Sequence, residues 1–220
     1  MLSILPAYSK TIGSLNEAFI GQARIKNHLI KAIELAKNKS EVVGHILLVG
    51  PEGMGKNTLA KALAGSAGKQ IHVFSGSKIK ENSNFAGFFT NLEEDDLVLT
   101  EELNMLPDGM KAYLYHAMAE FKLDIPIEQG PNAQSIHLNL PRFNLVHTTA
   151  TLNEVSLEWL QCFSLVECFE PYSEDEQKQL ARRFAPQIGI DSEFTVNNLV
   201  YRSDATPQNI YKHLLEIKWK

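Results

Sequence analysis

The sequence predicts an α/β fold, a doubly wound parallel sheet followed by a small helical unit. Three observations carry that prediction. Five short runs rich in β-branched and apolar residues alternate with helical patterns, as expected for parallel strands joined by crossover helices. The first run ends in a glycine-rich loop, GPEGMGKNT, directly ahead of a helical stretch. After Pro171 the strand-like runs cease and only helical patterns follow. A chain of 220 residues is long enough for one good core and a small satellite.

In chain order, a helix is expected over residues 22–37, where Ile25, Leu29, Ile33 and Leu35 supply an apolar stripe. The run HILLVG (45–50) reads as the first strand, and a second helix leaves the loop at Lys56 and reaches about Ala64. Further strands are expected at 70–75 (QIHVFS), 96–101 (DLVLTE), 143–148 (FNLVHT) and 165–170 (LVECFE). A third helix follows Pro107, a residue favoured in the first turn, through DGMKAYLYHAM. Between Phe121 and Phe143, FKLDIPI and SIHLNL alternate apolar and polar around the turn-rich EQGPNAQ. This predicts an inserted β-hairpin, which either packs on the domain or projects as a partner-binding arm. SEDEQKQLARRFA, EFTVNNLVYRS and TPQNIYKHLLEIKW then predict three short helices, the first opened by a Ser-x-x-Glu cap. The expected division is an α/β domain over 1–171, with the hairpin inserted at about 121–143, and a helical lid over 172–220.

Composition narrows the function classes. Hydrophobic residues make up 44% and charged residues 21%, with a net charge of −5. So acidic a chain carries no general footprint for a phosphate backbone, and any DNA contact is expected to be local or delegated. The two cysteines, Cys162 and Cys168, lack companions at metal-binding spacing and are expected as reduced, mostly buried thiols. The start MLSILPAYSK lacks the pattern of a cleavable leader, and no apolar run approaches 18 residues. A cytoplasmic protein without membrane contact is expected.

The loop carries the most specific chemistry. A glycine-rich turn between strand and helix lets backbone N–H groups surround phosphates, and the helix N-terminus and the Lys56 ammonium add positive charge. The alternative is a glycine-rich turn with a surface lysine. In such loops the hydroxyl after the lysine holds Mg²⁺ between the β- and γ-phosphates. Here that position is Asn57, whose carbonyl oxygen is a weaker and longer ligand, and Thr58 lies too far along the helix to replace it. At the end of DDLVLTEE stand Glu101 and Glu102. One acid at such a place supports Mg²⁺ and the next polarises the attacking water. The alternative is a pair of solvated acids ending a strand.

As a set these residues resemble the RuvB family, bacterial AAA+ ATPases that drive Holliday-junction branch migration. The resemblance rests on SLNEAFIGQARIKNHL, HILLVGPEGMGKNTLA, TNLEEDDLVLTEEL, HAMAEFKLDIPIEQGPNAQSIHLNLPRFNLVHTTA and RSDATPQNIYKHLL, and covers almost the whole chain. It implies an AAA+ P-loop NTPase sheet, a helical lid, and ATP or ADP with Mg²⁺ between them. The implied nucleotide contacts are Gly53, Gly55, Lys56, Asn57, Thr58, Ile20 and Tyr172, with the stretch Ala119-Glu120-Phe121 nearby. The implied metal ligands are Asn57 and Glu101. Glu102 and Thr149 are the implied catalytic residues, Thr149 as the group that senses the γ-phosphate. The hairpin from Lys122 to Leu140 corresponds to the arm that docks on a RuvA-like partner, and RuvB-like ring neighbours would complete an oligomer.

Several positions depart from the family pattern. Leu160 and Cys162 stand where the family has two arginines, one of which reaches a neighbour's γ-phosphate, and Gln208 stands where the lid arginine is usual. The family continues into a winged-helix DNA-binding module after the lid, whereas this chain ends at Lys220, so DNA contact is expected only indirectly. The resulting expectation is a nucleotide-binding and partner-docking module of DNA recombination and repair with weak or lost hydrolysis. The alternatives are an active ATP-dependent branch-migration motor (helicase) subunit, and a scaffold that holds no nucleotide.

Overall fold

Strand β1 (His45–Val49) is buried along its whole length, so it reads as an unbroken apolar run covered on both faces. Four more strands flank it in parallel: β2 (Ile71–Ser75), β3 (Leu97–Glu101), β6 (Asn144–Thr149) and β7 (Phe163–Cys168), in the order β2-β3-β6-β1-β7. The structure is a computed structural model and describes residues 15–39, 43–79, 81–126, 135–190 and 205–219. It is the α/β P-loop architecture expected from the sequence.

The period-2 alternation of β1 divides the core in two. Ile46 and Leu48 face one apolar cluster with Ile25, Leu29, Leu59 and Leu63, whereas Leu47 and Val49 face another with Phe74, Phe85, Phe89 and Leu114. Helices α1 (Ala23–Lys39) and α2 (Lys56–Ala67) cover the first face, and α3 (Asn82–Thr90) and α4 (Asp108–Glu120) the second. Burying each such leucine or phenylalanine contributes about 1.5–3 kcal/mol. His45 at the start of β1 is fully enclosed. Its Nε2 bonds the Met118 carbonyl and its Nδ1 accepts from the Leu145 N–H, which ties the end of α4 to the sheet.

Strands β4 (Lys122–Pro126) and β5 (Ser135–Asn139) form the expected antiparallel hairpin, rooted where Leu123 and Leu140 enter the second core cluster. Beyond the sheet, α5 (Leu157–Cys162) leads into β7, and α6 (Glu174–Phe184) and α7 (Pro207–Lys218) follow. The cap predicted for α6 is present as a reciprocal pair: the Glu176 N–H donates to Ser173 Oγ, and the Ser173 N–H donates to Glu176. Thr206 caps α7, with Pro207 at its first position.

Some expectations need correction. Leu35 is 61% exposed, and the buried stripe of α1 runs through Ile25, Leu29, Ile30, Ile33 and Ala36. Residue 35 lies two positions beyond Ile33, about 200° around the helix, so it turns to solvent. Cys162 is half-buried and Cys168 exposed rather than both enclosed. β7 is an edge strand whose residues alternate in exposure, and Cys168 points outward at its end. β7 begins at Phe163, two residues before the predicted start, because α5 passes directly into it with no turn residue between. The helix expected over EFTVNNLVYRS lies outside the described residues.

Candidate functional site

Parallel strands bring their C-terminal ends to one edge of the sheet, and there the ends of β1, β3 and β6 converge. The loop after β1 needs left-handed backbone at two points, Gly53 with φ 79° and Gly55 with φ 92°. Glycine adopts these angles without strain. A Cβ at Gly53 would lie 2.6 Å from Gln208 Oε1, and one at Gly55 3.2 Å from the Phe19 ring. So the loop is pressed between the start of α7 on one side and the residue-19 segment on the other.

Beside the loop is a cleft of roughly 1240 Å³, walled by Gly53, Gly55, Lys56, Asn57 and Thr58 from the loop and α2, and by Glu102, Thr149 and Glu154 opposite. Pro207, Gln208 and Tyr211 of α7 close a further side. Lys56 Nζ donates to the carbonyls of Gly50 at 2.5 Å and Pro51 at 2.8 Å. Burial pulls its pKa down, opposed by the nearby Glu52 and Glu154 carboxylates. The ammonium thus rests on its own loop, within reach of the space the loop surrounds.

Asn57 is tied on both sides of its amide. Its Nδ2 donates to Glu101 Oε1 at 3.1 Å, and its Oδ1 accepts from Thr148 Oγ1 at 3.1 Å. The two predicted metal ligands are therefore in direct contact. Asn57 Oδ1 and the Glu101 carboxylate are hard oxygen donors of the kind Mg²⁺ takes. Oδ1 is turned to Thr148 and Nδ2 to Glu101, so the amide would have to turn for both oxygens to meet one ion. Glu102 sits in left-handed backbone at φ 52°. Its carboxylate accepts from Ser77 Oγ at 2.5 Å and Ser75 Oγ at 3.0 Å, which hold it below the usual carboxylate range. Thr149 donates to Glu154 and to the Thr151 carbonyl.

Not every implied contact reaches the cleft. Tyr172 is buried behind the loop, its hydroxyl donating to the Met54 carbonyl at 2.9 Å, and desolvation raises its pKa. Ile20 packs half-buried against the same core cluster as Phe19, Met54 and Tyr172. The expectation that Ala119-Glu120-Phe121 lies near the nucleotide is corrected. Phe121 packs on His45 and Phe143, at the opposite end of β1 and β6 from the loop. It follows the end of α4, and parallel topology sends that end away from the strand C-termini.

Four cleft-side residues were not read from the sequence. Ser75 and Ser77 hold Glu102. The register Ser75↔Glu101 between β2 and β3 is the feature that places them. His147 bonds Thr100 Oγ1 at 2.8 Å through Nδ1, and burial lowers its pKa to about 4. Glu154 belongs to no motif, and only the turn after β6 brings it against Thr149.

The family model for the Holliday junction DNA helicase RuvB P-loop domain matches residues 13–168. The chain belongs to the RuvB P-loop family. Such a P-loop implies nucleotide binding, typically with Mg²⁺. Among RuvB relatives, the Holliday junction branch migration complex subunit RuvB of Kosmotoga olearia is 39% identical over 194 residues, 87% of this chain and 56% of that protein. The same subunit of Thermosipho melanesiensis is 35% identical over 205 residues, 93% of this chain and 65% of that protein. Among solved RuvB structures, the Thermotoga maritima RuvB Holliday junction branch migration motor superposes with a TM-score of 0.73 at 27% identity, covering 91% of this chain and 62% of that one. The chain thus spans a little over half to two thirds of the length of these RuvB proteins. Among the described residues, no helix is long and apolar enough to cross a membrane.

Proposed function

We propose that this chain is a RuvB-type AAA+ subunit of a cytoplasmic branch-migration machinery, which binds ATP or ADP with Mg²⁺ in the cleft beside the Gly50–Lys56 loop. The single observation that carries the reading is the loop itself: two glycines in left-handed backbone, a lysine over it, and a helix N-terminus aimed at the enclosed space. Lys56 and the loop N–H groups would hold the phosphates. Asn57 and Glu101 would hold the Mg²⁺, which when bound offsets phosphate charge. Glu102 would orient and deprotonate the attacking water, and Thr149 would report the terminal phosphate. The helices after Pro171 would act as the lid, joined to the loop by the Gln208 N–H to Gly53 O bond.

The relatives are named as branch migration subunits, which favours a working motor subunit over the expectation of lost turnover. One observation favours a second reading, in which the chain binds nucleotide but turns it over slowly. The amide of Asn57 stands where a hydroxyl is usual, engaged by Glu101 and Thr148. Phosphate release with and without four-way junction DNA separates the two. Turnover near 1 s⁻¹, the low end of ordinary enzymes, supports the motor; turnover orders of magnitude slower supports the second reading. The hairpin is proposed as the arm for a RuvA-like partner. Deleting residues 124–137 is expected to abolish capture of that partner, and unaffected capture would rule the arm out.

A further inference from the structure

We propose that Glu154 is a built-in competitor for the terminal phosphate, biasing the cleft toward nucleoside diphosphate over triphosphate. The inference rests on the cleft being the nucleotide site. Its basis is the set of donors at the end of β6. The Thr149 hydroxyl has one proton, shared between Glu154, the shorter contact, and the Thr151 carbonyl at 3.1 Å. The next backbone donor, the Ala150 N–H, reaches the same Glu154 Oε2 at 3.2 Å. Both donors line the cleft opposite Lys56, and both are engaged by a carboxylate that also lines it.

A terminal phosphate oxygen calling on Thr149 must therefore displace a carboxylate of like charge. A diphosphate, one group shorter, leaves that pair undisturbed. The wider charge balance points the same way. Among the described residues lining the cleft, three carboxylates (Glu52, Glu102 and Glu154) face two ammonium groups (Lys56 and Lys111), and no arginine joins them. His147, beside Glu154, adds no positive charge at neutral pH because burial keeps it neutral down to about pH 4. The extra charge of a triphosphate meets net repulsion there, moderated by water because Glu154 is exposed.

Glu154 is exposed, so removing its charge is unlike removing a core residue, and glutamine keeps its shape. The test is titration of ADP and ATP, each with and without Mg²⁺, into wild type, Glu154→Gln and Glu154→Ala. ATP affinity is expected to rise roughly tenfold in both variants, screening by water limiting the effect, with ADP affinity changed less than about twofold. The gain is expected to vanish when Thr149→Val is added, because the freed donor is then missing. An ATP:ADP ratio that stays at the wild-type value in both variants, with ADP still bound, overturns this inference and leaves the site assignment standing. Failure of the folded wild type to bind either nucleotide overturns both.

Discussion

Replacing Asn57 by threonine tests what the amide does at the loop. The substitution removes the bond from Nδ2 to Glu101 and the bond that Oδ1 accepts from Thr148. A net hydrogen bond contributes about 1 kcal/mol, so the folded chain is expected to lose about 1–2 kcal/mol. For a chain of this size that lowers the melting temperature by roughly 2–8 °C. Asparagine and threonine have similar helix propensities, so the first turn of α2 adds little. The gain is a hydroxyl at the position that would hold Mg²⁺ beside the bound phosphates. Metal-based charge stabilisation is worth several kcal/mol in all, part of which the Asn57 oxygen would already supply. A remainder of about 1.4 kcal/mol corresponds to a tenfold rise in turnover. The assay is phosphate release at saturating ATP and Mg²⁺, with thermal melts on the same preparations. A lower melting temperature with unchanged turnover and unchanged ATP affinity would refute the reasoning that position 57 limits hydrolysis.

Other perturbations probe the supports of the site. Tyr172→Phe leaves the buried Met54 carbonyl without its donor and is expected to destabilise the chain by about 1–3 kcal/mol, read as a shift in urea midpoint at unchanged slope; an unshifted midpoint contradicts that hydrogen bond. Gly53→Ala forces a side chain into left-handed backbone against Gln208 and Thr206, and ADP affinity is expected to fall at least tenfold; retained affinity would show that the loop and α7 separate freely. His147 has a folded pKa of about 4, below its unfolded value of about 6.5. The unfolded chain therefore binds the extra proton first, and stability is full above pH 6.5 and declines as pH falls toward 4. The slope is at most about 1.4 kcal/mol per pH unit from this residue, and His147→Gln is expected to flatten it in urea midpoints measured against pH; an identical profile contradicts the assignment.

How much the sequence revealed depended on whether the signal was local. β1, β3 and the loop were legible because a buried parallel strand is a continuous apolar run and a phosphate loop needs glycine at fixed points. Helix α3 was not read, since NSNFAGFFT is aromatic and glycine-containing and its helical state comes from packing Phe85 and Phe89 on Phe74. Leu35 was misplaced because apolar character does not fix which face a residue occupies. In the site, Lys56, Asn57, Glu101, Glu102 and Thr149 follow from position relative to strand ends, and the structure brings them to one edge. Glu154, His147 and the serines that hold Glu102 were invisible, because their roles arise from neighbours distant in sequence or from the path of a turn. The resemblance places Tyr172 near the nucleotide, and only the structure shows that its hydroxyl secures the loop through the Met54 carbonyl.

The central claim is that the loop holds a nucleotide through Lys56, and titration of ADP and ATP into the wild-type chain and Lys56→Ala tests it most directly. The account predicts saturable binding by the wild type and a loss of at least tenfold in the variant, with both chains equally folded. Equal affinity in the two chains, or no binding to the folded wild type, would contradict it.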